Sequence, residues 1–315
     1  MARCPLCGIR LSTMLFYHAM SCGIITPLGI EEYKMIELPE AIVLSHQMNE
    51  AIKGKRIKEV LAAGSPHKFA WFFGEPSEYG KLLRGCVLER TVAYGGRVEI
   101  ETKSVDSLPP PVLHFGDGVV LRYYEAGEPL PAKHQLLITF DDDSALVGTI
   151  AMYGGLWAFP AGAMDDNFYY KAAKNAIAPL SEAFDYAYFQ SLFDEKSLKL
   201  SAKAFLATEQ RIPGLGNGVL HDILLNAKIH PKKKMNTLSD AQKRGVFDSM
   251  KSTLSAMTDC GGRDTERDLF GNSGGYKTKL SKNNKALVCP DCGGAVKKEA
   301  YMGGSVYFCD SCQEQ

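Results

Sequence analysis

The stretch that decides the fold is Thr208-Glu209-Gln210-Arg211-Ile212-Pro213-Gly214-Leu215-Gly216-Asn217. Apolar residues recur at helical spacing on both sides of it, at Leu198, Ala202, Phe205 and Leu206 and then at Leu220, Ile223, Leu224 and Ala227. Its glycines allow another backbone to approach closely and permit unusual dihedrals. The following helix begins with free amides and the positive end of its dipole, which suit a phosphate. The pattern predicts two helices joined by a glycine turn; an ordinary helix–turn–helix corner is the alternative.

The C-terminus contains two C-x-x-C pairs, Cys289-Pro290-Asp291-Cys292 and Cys309-Asp310-Ser311-Cys312. Sixteen residues separate the pairs, which is the spacing of a four-cysteine zinc ribbon. Residues 295–298 and 305–308 are typical of two short strands with a glycine-containing turn between them. We expect Cys289, Cys292, Cys309 and Cys312 to hold one structural zinc ion, because four thiolates leave no open coordination position.

The N-terminal half predicts one helix followed by short strands. Leu44, Met48, Ala51 and Ile52 mark a helix over residues 40–54 that Gly54 ends. The strand-like runs that follow are residues 87–93, 97–102, 119–124, 135–140 and 145–151. Short strands at close spacing indicate a β-sandwich. At 315 residues, the chain is long enough for two domains with small appendages.

Charge and composition limit the classes of function. The net charge is zero, but residues 196–234 contain eight Lys and Arg and only two acidic residues. This asymmetry favours a nucleic-acid surface in the C-terminal half, with ordinary solvated helix faces as the alternative. No apolar run reaches the roughly 18 residues of a membrane span, so we expect no membrane contact. The composition is that of a cytoplasmic protein, nucleoid-associated if bacterial, and we expect a monomer.

Three ordered motifs resemble one known family. Met35-Ile36-Glu37-Leu38-Pro39-Glu40 is similar to the N-terminal signature of the formamidopyrimidine-DNA glycosylase / endonuclease VIII family. Residues 200–239 resemble that family's helix–two-turn–helix module, and the four cysteines follow some 50 residues later. The resemblance covers about residues 35–312.

The resemblance implies a multidomain α+β fold. The expected parts are a glycosylase-like β-sandwich domain with flanking helices over residues 35–159 and a hinge over 160–190. A helix–two-turn–helix DNA-binding domain over 191–282 and a four-cysteine zinc-finger hairpin over 283–315 follow. Residues 1–34 precede the signature and are either an extension or sequence upstream of the true start. Within it, Cys4, Cys7, His18 and Cys22 offer a weaker zinc-knuckle pattern.

The resemblance also implies a reaction on double-stranded DNA that carries a damaged base or an abasic site. An N-terminal amine attacks the anomeric carbon of a flipped-out nucleotide, expels the base and forms a Schiff base. The implied catalytic residues are Met35 or Ile36 as the amine, Glu37 as the proton carrier and Glu40 as a support. The residues expected at the DNA are Asn217, Gly216, Gly214, Arg211, Lys68, Arg97 and His114.

Four departures from the family pattern bear on activity. Ile36 replaces the proline that carries the amine, and Gly96 occupies the position of a strand lysine. Gly304 replaces the arginine five residues before the third cysteine. The side chains that fill the space of the flipped base are not evident, with Phe115, Met152 and Tyr153 as candidate replacements.

Three hypotheses of different classes follow. The first is a divergent DNA glycosylase and abasic-site lyase. The second is a catalytically impaired DNA-binding protein that keeps the cleft and the finger. The third, favoured by the neutral net charge, is a zinc-stabilised module for RNA or a protein partner.

Overall fold

The structure is a computed structural model that describes residues 35–104, 109–164 and 166–313. The expected extension and its Cys4, Cys7, His18 and Cys22 lie outside these residues. The described residues form a mixed α+β fold with one large sheet, a helical unit and a C-terminal hairpin. None of the described helices is long and apolar enough to cross a membrane.

Helix α1 spans Leu38–Ala51 and begins two residues before its predicted start. The Glu37 backbone N–H donates to Glu40 Oε2 at 3.3 Å, a reciprocal contact of the capping-box type that fixes the first turn. Leu44 and Met48 are buried against the sheet. Leu38 instead packs into the core of the helical unit. The helix therefore touches both units of the protein at the point where the signature begins.

The large sheet contains seven strands, ordered β1-β6-β7-β5-β4-β3, with the short β2 paired to β7. Their bounds are β1 Ile57–Ala62, β2 Ala70–Trp71, β3 Val87–Tyr94, β4 Arg97–Lys103, β5 Pro111–Tyr124, β6 Leu136–Phe140 and β7 Ala145–Pro160. A short helix, α2 (Tyr79–Leu83), follows β2. All neighbours except β2 and β7 pair antiparallel.

The predicted sandwich of separate sheets is not confirmed, because strand pairing connects all seven strands into one sheet. Strands β5 and β7 are longer than predicted, and their pairing is interrupted by an irregularity between Asp117 and Val119. Such a bulge bends and twists a strand. Residues from both halves of β5, such as Leu113 and Leu121, enter the same hydrophobic core. The bent sheet thus wraps around one core.

The interdomain segment predicted as a hinge contains two helices, α3 (Phe168–Asn175) and α4 (Tyr186–Ser191). Helix α3 is tied to the sheet: Tyr170 Oη donates to Glu99 Oε2 at 2.7 Å, and Lys174 Nζ donates to Glu99 Oε1 at 3.1 Å. These contacts fix the first half of the segment to β4.

The helical unit follows the predicted pattern. It contains α5 (Ala202–Ala207), α6 (Asn217–Asn226) and α7 (Asp240–Asp259). Ser201 caps α5 by accepting from the Ala204 amide at 3.2 Å, and Ser239 caps α7 with a capping box. The apolar residues that indicated the helices, including Phe205, Leu220 and Leu224, are fully buried in one core.

The C-terminal hairpin pairs β8 (Val296–Tyr301) with β9 (Gly304–Cys309). It packs on α6, where Leu225 joins the core that contains Cys289 and Tyr307. Gln313 Nε2 also donates to the Ile229 carbonyl at 2.9 Å. The finger is therefore anchored to the helical unit by both apolar and polar contacts.

Candidate active site and nucleic-acid interface

Residues 35–38 lie between the sheet and the helical unit, and we call this segment the strap. The Ile36 amide donates to the Asp117 carbonyl at 2.9 Å, beside the irregularity in β5. Two residues later, the Leu38 amide donates to the Gly214 carbonyl at 2.9 Å. The Ile36 side chain is only 7% exposed and belongs to the core of the sheet. Two backbone hydrogen bonds thus place the signature where the two units meet.

The Glu37 carboxylate binds the first amides of α6. Its two oxygens accept from the Gly218 and Val219 amides, each at 2.9 Å. Free amides and the helix dipole favour an anion at this position. Burial raises the pKa of Glu37, whereas Arg263 and the two amides act in the opposite direction. The prediction that these amides receive a phosphate is corrected, because the protein's own carboxylate already occupies them.

Arg263 holds both carboxylates of the signature. It is 2% exposed and donates to Glu40 through Nε at 2.9 Å and through Nη2 at 2.7 Å. Its Nη1 lies 3.5 Å from Glu37 Oε2. Burial lowers the pKa of Arg263, but the two glutamates outweigh burial and hold it above its ordinary value. A Cβ at Gly218 would lie 1.4 Å from Nη1, so this glycine makes room for the guanidinium.

The sequence alone predicted no such role for Arg263. Gly261 and Gly262 directly precede it, and both have positive φ. This bend delivers the arginine to the signature from more than 200 residues away. The signal available in the sequence was an arginine after two glycines, which is too common to be decisive.

The glycine turn of the helical unit touches the turn between β3 and β4. Gly214 has a φ of +79°, and a Cβ on it would lie 2.5 Å from the Gly95 carbonyl carbon. A Cβ on Gly96 would lie 2.8 Å from the Ile36 carbonyl oxygen. Close backbone contact therefore explains why residue 96 has no side chain. A lysine at this position does not fit the observed packing.

The finger meets α6 at a second glycine contact. A Cβ on Gly304 would lie 2.5 Å from Asn217 Nδ2 and 3.8 Å from Lys203 Nζ. Lys203 is 3% exposed and donates to the Tyr301 carbonyl at 2.5 Å. Burial lowers the pKa of Lys203 to about 8. The structure thus places an amine, which the sequence had not singled out, beside the position where the expected arginine is missing.

Two residues expected at the DNA are buried in the sheet. His114 is 1% exposed, and its Nδ1 lies 3.1 Å from Glu99 Oε2. Arg97 is 7% exposed and lies over the Trp157 ring at 6.0 Å. Burial lowers the pKa of His114, against the effect of Glu99. The prediction is corrected for both residues, because alternation along β4 and β5 turns these side chains inward.

The other two predicted cations, Arg211 and Lys68, differ in exposure. Arg211 Nη2 lies 2.8 Å from Glu209 Oε2, and its Nη1 donates to the Phe205 carbonyl at 3.1 Å. Lys68 is exposed, with Nζ 5.2 Å from the Phe69 ring centroid. Lys68 is therefore accessible, whereas the Arg211 side chain is only 14% exposed, and neither joins the contacts around Glu37.

The three residues that were predicted to fill the space of the flipped base differ in burial. Phe115 is 0% exposed and lies in the core of the sheet, so it cannot enter DNA. Met152 and Tyr153 are half-buried. Tyr153 Oη contacts the Met35 sulfur at 3.8 Å, and its ring packs on Trp71 at 5.6 Å. Tyr153 is thus the candidate that lies nearest the signature by direct contact.

The four C-terminal cysteines form the predicted cluster. Their sulfur atoms all lie within 4.8 Å of one another, close enough to hold a metal ion. The Cys289 and Cys312 sulfur atoms are 3.8 Å apart, and those of Cys292 and Cys309 are 3.5 Å apart. The donor set is four thiolates, which suits zinc.

Several basic residues of the C-terminal half dock the finger. Lys228 and Lys279 both bind Asp291, at 2.8 and 2.9 Å, and Lys232 pairs with Glu299. The excess of basic residues is therefore in part structural. Lys233 carries no ion pair among the described residues, and neither does Lys199 on the preceding 3₁₀ turn.

Comparison with known proteins identifies relatives over most of the chain. The formamidopyrimidine-DNA glycosylase of Cytobacillus firmus is 26% identical over 286 residues, which cover 89% of this chain and 100% of the relative. That of Kineococcus radiotolerans is 25% identical over 303 residues, covering 89% of this chain and 97% of the relative. No family model matches the chain.

Solved structures have the same fold. The Lactococcus lactis Fpg in complex with DNA containing an abasic site superposes with a TM-score of 0.73 at 21% identity, covering 89% of this chain and 100% of that one. The MutM (Fpg) protein of Thermus thermophilus gives 0.71 at 19% identity, covering 88% and 98%. With the relatives in sequence, these structures confirm the resemblance drawn from the motifs. Over most of its length, the chain is therefore similar to formamidopyrimidine-DNA glycosylases in sequence, at about 25% identity, and in fold.

Proposed function

We propose that this protein acts in base-excision repair, as a DNA glycosylase and abasic-site lyase on double-stranded DNA. One observation carries the proposal. The signature, the glycine turn and the finger tip converge, through Glu37 on α6 and through Asn217 against Gly304. Relatives with this fold have been solved with abasic-site DNA and with DNA carrying a modified formamidopyrimidine lesion.

The reaction requires an amine at the signature. A chain that begins at Met35 or Ile36 has a primary amine there, which can form an imine with the C1′ aldehyde of an abasic site. A chain that carries residues 1–34 has a peptide amide at the same position, and an amide nitrogen is not nucleophilic. Catalysis by this route therefore depends on where the mature chain begins.

The other residues position the DNA and the strap. Asn217 and Lys203 lie together beside the finger and would contact the phosphate backbone, in place of the arginine absent at Gly304. Arg263 and Glu40 hold the strap in place. One zinc ion on the four cysteines would rigidify the hairpin, which is too small to be stable alone. We expect a monomer in the compartment that contains the chromosome.

Borohydride trapping on a duplex with one abasic site tests the enzyme. The protein is purified with its native N-terminus, which intact mass defines, and incubated with the duplex and borohydride. A covalent adduct that maps to the N-terminal residue supports the proposal. Absence of an adduct from a chain shown to begin at Met35 or Ile36 contradicts the lyase and leaves the DNA-binding alternative.

Asn217→Ala tests the interface separately from the chemistry. The variant should bind abasic-site duplex and undamaged duplex more weakly by similar factors, because a phosphate contact is independent of sequence. Ser255→Ala, on the exposed side of α7, is the matched control. Unchanged affinity for both duplexes in Asn217→Ala would remove this residue from the interface.

A further inference from the structure

A cavity lies directly against the strap on its sheet side. About 320 Å³ of empty space lies between its walls, a volume that includes open solvent. Its walls are the strap and α1 on one side and β5 with the connecting segment on the other, formed by Met35, Ile36, Glu40, Leu44, Val119, Val120, Leu121, Arg122, Glu266 and Arg267. Ile36 and Glu266 therefore face one space, although 230 positions separate them in sequence.

Among the described residues, Glu266 is the carboxylate of this cavity whose side chain accepts no hydrogen bond from the protein. Glu37 accepts from two amides, and Glu40 accepts from Arg263. The Glu266 side chain, by contrast, accepts no hydrogen bond from the described residues; only its backbone is engaged, with Arg263 and Gly274. It also lines the smaller cavity on the other side of Glu40. A half-buried carboxyl group without a fixed donor can exchange a proton with a ligand.

Burial has the largest effect on the pKa of Glu266, and neighbouring charges act in both directions. Burial raises its pKa, Arg263 and Lys282 lower it, and Glu40 and Glu37 raise it, with the result that the pKa lies at about 7. Arg122 and Arg267 line the same cavity, and Asp268 lines the smaller one. The carboxyl group is therefore divided between its two protonation states near neutral pH, as a proton-transfer group requires.

We propose that Glu266 is the proton-transfer residue of the imine-forming step. The inference rests on the proposed function and deepens it, because Glu37 is the residue that the family resemblance assigned to this work. The amine nitrogen forms a bond to C1′ as Glu266 gives its proton to the aldehyde oxygen. The nitrogen then returns one proton to Glu266 and the second leaves with the oxygen as water. The carboxyl group ends as it began, and water is the only leaving group.

Single-turnover nicking of an abasic-site duplex from pH 5.5 to 8.5 tests this role. The rate of Glu266→Gln is divided by that of the wild-type protein, which cancels the titration of the amine. We expect a deficit of about 100-fold or more at pH 6, where Glu266 is protonated. The deficit should narrow as the pH rises through about 7. Glu50→Gln, on the exposed face of α1, is the control and should match the wild-type rate throughout.

The outcomes separate the two proposals. A wild-type protein with a free N-terminal amine that does not nick the duplex overturns the proposed function and the inference with it. A wild-type protein that nicks, with a Glu266→Gln variant that is equally fast or slower by the same factor at every pH, overturns the inference alone.

Thermal unfolding without DNA gives a second readout that activity does not affect. A carboxyl group whose pKa is raised on folding costs stability as the pH rises from its unfolded value towards its folded one. The melting temperature of Glu266→Gln minus that of the wild-type protein should therefore be larger at pH 8 than at pH 5. A difference that is the same at both pH values shows that Glu266 does not titrate near neutrality, which overturns the inference.

Discussion

Gly214→Ala should separate the two units of the protein, because no atom fits between the glycine turn and the β3–β4 turn. The new Cβ would lie 2.5 Å from the Gly95 carbonyl carbon and 2.6 Å from the Gly96 amide nitrogen. Both neighbours are backbone atoms, which cannot rotate away as a side chain does. The two turns would have to move apart, and the hydrogen bond from Leu38 to the Gly214 carbonyl would lengthen.

Two terms contribute to the expected cost. A residue with a side chain at a φ of +79° costs about 1 kcal/mol or slightly more. Overpacking adds about 1–3 kcal/mol. We therefore expect a loss of about 2–4 kcal/mol in the free energy of unfolding. Gly85→Ala isolates the first term, since its φ is +82° and nothing lies within 4 Å of its Cβ.

Urea unfolding followed by circular dichroism measures both variants under the same conditions. Gly245→Ala, inside α7 and also without neighbours within 4 Å, should instead raise the stability by about 0.5–1 kcal/mol. The expected order of stability is Gly245→Ala, wild type, Gly85→Ala, Gly214→Ala. A Gly214→Ala variant that loses no more than Gly85→Ala would refute the proposed contact between the two turns.

Three further predictions concern the buried charges and the finger. Arg263→Met should cost about 3–5 kcal/mol, because it leaves two buried carboxylates without a partner; Arg244→Met, which breaks an exposed ion pair, should cost less than about 1 kcal/mol in the same urea experiment. Cys289→Ser should reduce bound zinc from one equivalent to none by elemental analysis, whereas Cys260→Ser, outside the cluster, should retain it; zinc retained by both would exclude the cluster. When the pH is lowered from 7 to 5, the melting temperature of His114→Gln should fall less than that of the wild-type protein. The reason is that a histidine whose pKa is lowered by burial destabilises the fold as the pH falls below its unfolded value; parallel curves would contradict this.

Local patterns predicted the elements with short-range causes. The glycine turn, the two helices around it and the cysteine hairpin depend on spacing and on residue conformations within some 20 positions, and all three are observed. Strands β1 and β2 were missed, because β1 is largely exposed and β2 has only two residues. The predicted runs 119–124 and 145–151 cover only parts of β5 and β7.

The chemistry of the site was only partly predictable. Glu37, Glu40 and Asn217 were predicted from separate motifs, and their catalytic and DNA-binding roles stay predictions. The prediction of a phosphate contact at the start of α6 was wrong, because Glu37, 181 residues away in sequence, accepts from the amide there. His114 and Arg97 were assigned to the surface, although Glu99 and Trp157 provide them with a buried environment.

The family resemblance, the helical module and the four-cysteine cluster follow from residue order alone, since each is encoded in a contiguous motif with a short-range physical cause. The partners of Glu37 and Glu40, the backbone contact that excludes a side chain at Gly96 and the cavity shared by Ile36 and Glu266 do not. They arise where the connecting segment returns to the strap, and only packing of the bent sheet on the helical unit decides which atoms meet there.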